Sequence, residues 1–286
     1  MSLPDLKRTF LTRQSCRHPH PELPNRLDPT EWPAHGLTVA WLGHSTVLVR
    51  LDGCWLLTDP ALRDRIGIRV GPLTVGPRRL RRPALEPRDL PSLDTILISH
   101  AHMDHLDLGT LRRLPRSTRI VTMTGIADLL HRFDDVTELG WGARTTVGSV
   151  GIEAIPARHW GARTITDRHR GYGGFLIEGR HHRVVYTGDT AHFDGYSFLQ
   201  ERGPVDLAIL PIGAYDPWID NHANPEESWA MGRQMLATHV LPVHHQTFRL
   251  SREPDSEPLE RLFRVAGDER WRIAATGLGE TWHAPA

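Results

Sequence analysis

Residues 99–107 read SHAHMDHLD and follow directly on LDTILIS, an apolar run of the kind that forms a buried strand. These nine positions hold three histidines and two aspartates at the point where a strand ends and a loop begins. His100 and His102 stand at i and i+2, so in an extended segment their side chains leave the chain on the same side. Asp104 and His105 come after the chain has begun to turn and address a second point nearby. Imidazole nitrogens and carboxylate oxygens suit zinc and other first-row divalent ions. Four donors from one loop cannot complete two coordination spheres. A chain carrying this loop has to fold so that further ligands converge on it from distant sequence.

Three later strand ends offer them. IPARHWGAR places His159 just past a strand, and VVYTGDT ends a strand with Gly188 and Asp189, a carboxylate placed to bridge two cations. LPVHHQTF ends a third strand with His244 and His245. Alone, each has a bland reading as a loop histidine or a turn aspartate. Together with the HxHxDH loop they form a ligand set.

The surrounding pattern says how such ends are brought together. Residues 1–36 are rich in Pro and His without sustained periodicity, and read as an N-terminal arm packing on a domain that spans 37–286. LTVAWLG, STVLVRL and CWLLTD read as consecutive antiparallel strands. The stretch from Ala61 to Pro87 reads as a long Gly/Pro/Arg-rich loop. Beyond it strands alternate with helices, expected at DLGTLRRL with Asp107 as N-cap, IADLLHRF, FDGYSFLQERG, NPEESWAMGRQML with Asn224 as N-cap, and PLERLFRVAG. Two packed sheets with helices outside, in one α/β domain, fit this grammar.

Composition narrows the partners. Lys+Arg and Asp+Glu both number 34, so no global field favours nucleic acid, and none is expected as a partner. The two cysteines form no CxxC pair, no apolar h-region opens the chain, and no run approaches the ~20 apolar residues of a membrane span. A cytoplasmic location without a transmembrane anchor is expected, with contact at a membrane surface left open. Within the long loop, Arg63, Arg65, Arg69, Arg78, Arg79, Arg81 and Arg82 make an anion-attracting rim, and its apolar members (Ile66, Ile68, Val70, Leu73 and Val75) are candidates for an acyl pocket.

The set SHAHMDHLD, ARHW, YTGDT and LPVHHQTF resembles the metallo-β-lactamase fold, which implies a four-layer αββα sandwich with a dinuclear metal site. More narrowly, TVAWLGHSTVLVRLDGCWLLTDP, GPRRLRRPAL, LPIGAYDP and NPEES resemble the phospholipases D that hydrolyse N-acylphosphatidylethanolamine; L-ascorbate-6-phosphate lactonase is a more remote relative. The resemblance implies His100, His102 and His159 on one metal, Asp104, His105 and His244 on the other, and Asp189 bridging. It favours His244 over His245 because the family's histidine stands three residues before the Thr247–Phe248 pair. Relatives carry Trp-Gly where this chain has His245 and Gln246, and Trp where it has Tyr172. The resemblance also implies that Asp59 orients a ligand histidine and that His44 lies near the metals, with Arg78, Arg79, Tyr172, Tyr215 and His245 toward the substrate.

Two divalent ions, zinc with manganese or iron as alternatives, imply hydrolysis by a metal-bridging hydroxide formed near neutral pH. Asp104 would hold the water's proton, and His222 in IDNHANPEES would act as general acid or contact a substrate phosphate. The expected reaction is phosphodiester hydrolysis of a small molecule or lipid. The alternatives are a lactonase or other ester hydrolase and, from another class, a metal-stabilised binding module without activity. A nuclease lacks an RNA-clamping insertion here, and redox di-iron relatives carry Glu where His102 stands.

Overall fold

The computed structural model describes residues 27–285 except Pro72 and Ile165. Residues 1–26 of the expected arm, with Cys16, lie outside the described residues. Between residues 27 and 36, Leu27 and Trp32 are buried, and Trp32 stacks on Trp55 with ring centroids 5.3 Å apart.

The strands are β1 (Leu37–Gly43), β2 (Thr46–Leu51), β3 (Cys54–Thr58), β4 (Ile68–Val70), β5 (Leu73–Val75), β6 (Thr95–Ile98), β7 (Arg119–Met123) and β8 (Val136–Leu139). The second half adds β9 (Arg144–Val147), β10 (Val150–Ile155), β11 (Gly174–Glu178), β12 (Arg183–Tyr186), β13 (Val205–Pro211), β14 (Ala237–Val243) and β15 (Thr281–His283). One sheet runs in the order β15-β1-β2-β3-β6-β7-β8 and the other β14-β13-β12-β11-β10-β9, while β4 and β5 form a separate hairpin. Pairing is antiparallel through β1, β2 and β3 and turns parallel at β3–β6, β6–β7, β12–β13 and β13–β14.

Period-two alternation explains the layering. Phe175, Ile177 and Ile209 point inward to a core shared with Val39, Leu48 and Leu56 of the first sheet. Their neighbours Leu176, Ala208 and Leu210 point outward and pack on Trp229, Met231 and Leu262. Those residues belong to the helices α2 (Pro225–Gln234) and α3 (Glu257–Ala266); α1 is the single turn Leu108–Leu111. The fold is thus the expected α/β sandwich. As expected, Asn224 caps α2, closing a reciprocal box with Glu227, and Asp107 caps α1 by accepting from the amides of Gly109 and Thr110.

Two expected helices are not formed. IADLLHRF contains only a 3-10 turn at Ala127–Leu129, and FDGYSFLQERG only one at Ser197–Arg202. In the first, the Glu138 carboxylate takes the amides of Ile126 and Ala127 at 2.6 and 2.7 Å, so tertiary partners replace a helical ladder too short to be stable alone. The second starts without a side-chain cap and stops at Gly203, whose φ is 91°. The long Arg-rich loop, conversely, contains the unexpected hairpin β4–β5.

Candidate metal centre

The loops after β3, β6, β10, β12, β13 and β14 open on one end of the sandwich, and the histidines and aspartates meet there. His100 Nε2 and His102 Nδ1 lie 2.8 Å apart, and His159 Nε2 is 3.3 Å from the same His102 nitrogen. Asp189 Oδ2 stands 3.9 Å from both His100 Nε2 and His159 Nε2. The same oxygen is 3.0 Å from His105 Nε2 and 3.1 Å from His244 Nε2, and those nitrogens face Asp104 Oδ2 at 3.5 and 3.4 Å. Two donor groups result, with Asp189 between them. All members are buried except His102 and Asp104, which are partly exposed and mark the open face.

The partners on the outer sides of the rings settle where the protons are. Ser99 Oγ donates its only proton to Asp59 Oδ2 at 2.5 Å, so it accepts from His100 Nδ1 at 2.8 Å. His105 Nδ1 donates to Asp59 at 2.6 Å, and His159 Nδ1 to the Asn221 carbonyl at 2.9 Å. His100 and His159 therefore turn a bare Nε2 lone pair toward the centre, and His105 aims its Nε2 at Asp189 Oδ2. A proton on His102 Nδ1 satisfies one of the nitrogens facing it but not both. His105 Nε2, both nitrogens of His244 and Asp189 Oδ1 are buried without a hydrogen-bond partner. Converging lone pairs and carboxylates in a largely buried site fit divalent cations.

Burial pushes His100 and His159 far below the ordinary histidine range and His102 down to about 4, which leaves these rings neutral, as ligands must be. His105 and His244 differ: burial pushes both down, but the facing Asp189 and Asp104 carboxylates outweigh this, raising His105 well above the ordinary range and His244 to about 9. The carboxylates demand positive charge at that point.

Backbone form reflects the same demand. His44, Asp59 and His244 all adopt positive φ (57°, 30° and 61°), which is unusual for residues with a side chain. Gly188 (φ 61°) has no room for a Cβ, which would stand 2.6 Å from that of Ser99; this close approach seats Asp189 beside His100.

The structure separates the remaining candidates. Asp59 lies fully buried, accepting from Ser99 N, Ser99 Oγ, His105 Nδ1 and Tyr186 Oη. His44 Nε2 meets Asp104 Oδ2 at 2.9 Å, and its carbonyl accepts from the His244 amide. His222 is buried with Nδ1 3.7 Å from Asp189 Oδ2. Tyr172 is half-buried at an edge contact with Trp141, and Arg78 is exposed in a bridge to Arg65.

Three residues expected toward the substrate are committed to other partners. Arg79 is buried, its guanidinium bonded to the carbonyls of Ala61 and Arg63 and stacked over Phe248, so it fastens the long loop. Tyr215 commits its hydroxyl to Glu257 at 2.8 Å with Arg261 over its ring. His245 is buried on Trp41 with ring centroids 4.5 Å apart and joins none of the donor groups. The acyl pocket is not formed either: Ile66 is buried, but Ile68, Val70, Leu73 and Val75 face solvent.

Sequence reasoning missed Tyr186, Ser99, Arg163 and Trp160. Arg163 Nη1 bonds the carbonyls of Ala101 and Leu106 and so clamps both ends of the histidine loop. The exposed Trp160 leans on His102 and His159, at 4.6 and 4.3 Å between centroids. Tyr186 and Ser99 carried a signal, as hydroxyls ending otherwise apolar strands; Arg163 carried none.

Comparison with known proteins identifies the family. Residues 54–245 match the β-lactamase superfamily domain. An uncharacterised protein of Mycobacterium tuberculosis is 35% identical over 258 residues, covering 86% of this chain and 68% of its own length. N-acyl-phosphatidylethanolamine-hydrolyzing phospholipase D 1 of Caenorhabditis elegans is 33% identical over 276 residues, covering 87% of this chain and 76% of that protein. The isothiocyanate hydrolase from Delia radicum gut bacteria shares the fold, with a TM-score of 0.70 at 16% identity over 87% of this chain and all of that one. With its buried histidine–aspartate centre and these relatives, the chain is a metal-dependent hydrolase of the metallo-β-lactamase superfamily, related to the phospholipases D that act on N-acyl-phosphatidylethanolamine.

Proposed function

We propose that this hydrolase cleaves phosphodiesters at a dinuclear centre, with a phospholipid as its substrate class. The observation that carries the reading is the position of Asp189, whose one oxygen lies within 4 Å of nitrogens in both donor groups. His100, His102 and His159 would hold one cation, Asp104, His105 and His244 the other, and Asp189 both. When bound, two divalent cations, zinc foremost with manganese or iron as alternatives, supply an activated water and offset the charge that develops on phosphoryl oxygens. The chain's own groups do the rest. Asp104 is the carboxylate that reaches the open face, and its bond from His44 fixes which oxygen is free to hold a proton. His222, beside Asp189 and His159, would meet a phosphate oxygen or the leaving group. The phospholipid assignment draws on the Caenorhabditis elegans relative, whose name states that activity.

The test is metal content by plasma emission together with initial rates on N-acylphosphatidylethanolamine, bis-p-nitrophenyl phosphate and a simple lactone. Two metals per chain with turnover of the first two substrates supports the reading. Turnover of the lactone alone replaces it with an ester hydrolase, and metal without turnover of any replaces it with a binding module.

A further inference from the structure

The hairpin β4–β5 is amphipathic the wrong way round. Its register pairs Ile68 with Val75 and Val70 with Leu73, leaving Arg69 opposite Thr74 between them. Alternation puts Ile68, Val70, Leu73 and Val75 on one face and Arg69 and Thr74 on the other. The polar face is the one turned toward the body, where Thr74 Oγ1 accepts from Arg63 Nη2 at 3.3 Å. The apolar face is bare, with relative exposures of 60%, 60%, 68% and 49% in that residue order. Solvated hairpins put their apolar residues inward, and two strands alone are marginal in water.

The stem is built to hold this face out. Gly67 and Gly76 pass so closely that a Cβ on either would lie 2.1 Å from the Val75 carbonyl oxygen or 2.3 Å from that of Ile66. Below the crossing, Arg65 bonds the Gly76 carbonyl at 2.5 Å, the Ile66 amide bonds Pro77, and Ile66 packs with Ala61 and Phe248. Phe248 touches His44 at 5.2 Å between centroids, so the stem stands directly on the wall of the metal centre.

We propose that this hairpin inserts its apolar face into an anionic lipid surface and so sets the metal centre against the headgroups. Charge selects the occupant. The chain as a whole is neutral, yet the segment from Ala61 to Pro87 carries seven arginines against Asp64 and Glu86, and Arg65, Arg69, Arg78, Arg81 and Arg82 of these are exposed. Apolar side chains flanked by arginine are the pairing by which a peripheral element binds acidic lipid. Size argues against a second copy of the chain, because two three-residue strands fall far short of the 20–30 residues per side of a stable protein interface. The docking deepens the phospholipid reading, but its test is binding without turnover, so the two can fail separately.

Full-length protein, wild type and Val70→Ser/Leu73→Ser, is sedimented with vesicles of phosphatidylcholine alone or mixed with phosphatidylglycerol. Wild type binds the mixed vesicles more tightly, and the double variant loses roughly tenfold in affinity. The variant keeps its melting temperature and its rate on bis-p-nitrophenyl phosphate, since neither side chain touches the core or the centre. Arg69→Glu, which leaves the apolar face intact, weakens binding to the mixed vesicles only. Vesicle binding absent in wild type, or equal in the double variant, overturns the proposal. So does a wild-type dimer that the double variant dissolves, which would assign the face to a second copy.

Discussion

Asp59 and His105 are joined by a 2.6 Å hydrogen bond with both side chains fully buried, and this contact decides which nitrogen of His105 faces the metal centre. Asp59 Oδ1 serves the Ser99 amide, while Oδ2 serves Ser99 Oγ, His105 and Tyr186 together. In Asp59→Asn one of these two sets must face an NH2 group, donor against donor. Metal affinity is expected to fall by roughly 10–100-fold, as for other partners that orient ligand histidines. Chelator competition measures this directly; unchanged affinity would mean that the contact does not set the His105 tautomer.

Metal removal should cost stability as well as activity. Without cations the centre keeps facing lone pairs and the carboxylates of Asp104 and Asp189 in a buried space. A cation at a thousandfold excess over its Kd adds about 4 kcal/mol to the folded state, so stripping it should lower Tm by roughly 5 °C or more. Thermal melts before and after dialysis against a chelator, then with zinc or manganese restored, check it. An unchanged Tm would remove the cations from the fold's stability.

The donor set was legible in the sequence because strand ends are: TILIS and LPV run directly into His100 and His244, and VVY stops three residues before Asp189. What the sequence could not show is direction. Arg79 and Tyr215 sit in motifs beside the site, yet one turns to the carbonyls of Ala61 and Arg63 and the other to Glu257. Arg163 reaches the histidine loop from 57 residues beyond Leu106, a contact that local pattern does not encode. The hairpin β4–β5 escaped because its alternation is only three residues long on each strand and sits among arginines. The 3-10 turns at Ala127–Leu129 and Ser197–Arg202 escaped for the opposite reason, since their helical periodicity is real but too short to sustain a ladder.

Tyr215→Phe separates a structural tyrosine from a substrate contact. It removes the bond to Glu257 and leaves the ring under Arg261. A loss of about 1–2 kcal/mol in urea unfolding is expected, with kcat and KM on bis-p-nitrophenyl phosphate unchanged. A raised KM at unaltered stability would return Tyr215 to the substrate side.

Glu153 on β10 gives the fold an acid-sensitive tie. Burial pushes its carboxyl up, but Arg202 and Arg144 outweigh this and hold it below the ordinary glutamate range. A depressed folded pKa contributes stability above the unfolded value of about 4.3 and loses it as pH falls through the folded value. Glu153→Gln should therefore be less stable than wild type near pH 7, with the gap closing below about pH 4. Urea midpoints across that range measure it, and a gap constant with pH would show that the carboxylate's charge is not what matters.

His222 tests the division between holding metal and handling substrate. Its ring lies 5.0 Å from that of His159 and 5.3 Å from that of His244, close enough to count as a further ligand as well as a substrate contact. The tautomer argument favours the second role. His159 is already held by the Asn221 carbonyl, so the segment that carries His222 fixes a ligand through its backbone and leaves the His222 side chain for another task. In His222→Ala the Asn221 carbonyl stays, because the turn that positions it is made by backbone bonds from Asn221 and His222 to Trp218. Metal content should remain at the wild-type value while kcat on bis-p-nitrophenyl phosphate falls by about 10²-fold or more, the scale of a lost proton donor or phosphate contact. A drop in metal content in step with turnover would instead make His222 a ligand and widen the group that Asp189 and His244 already form with it.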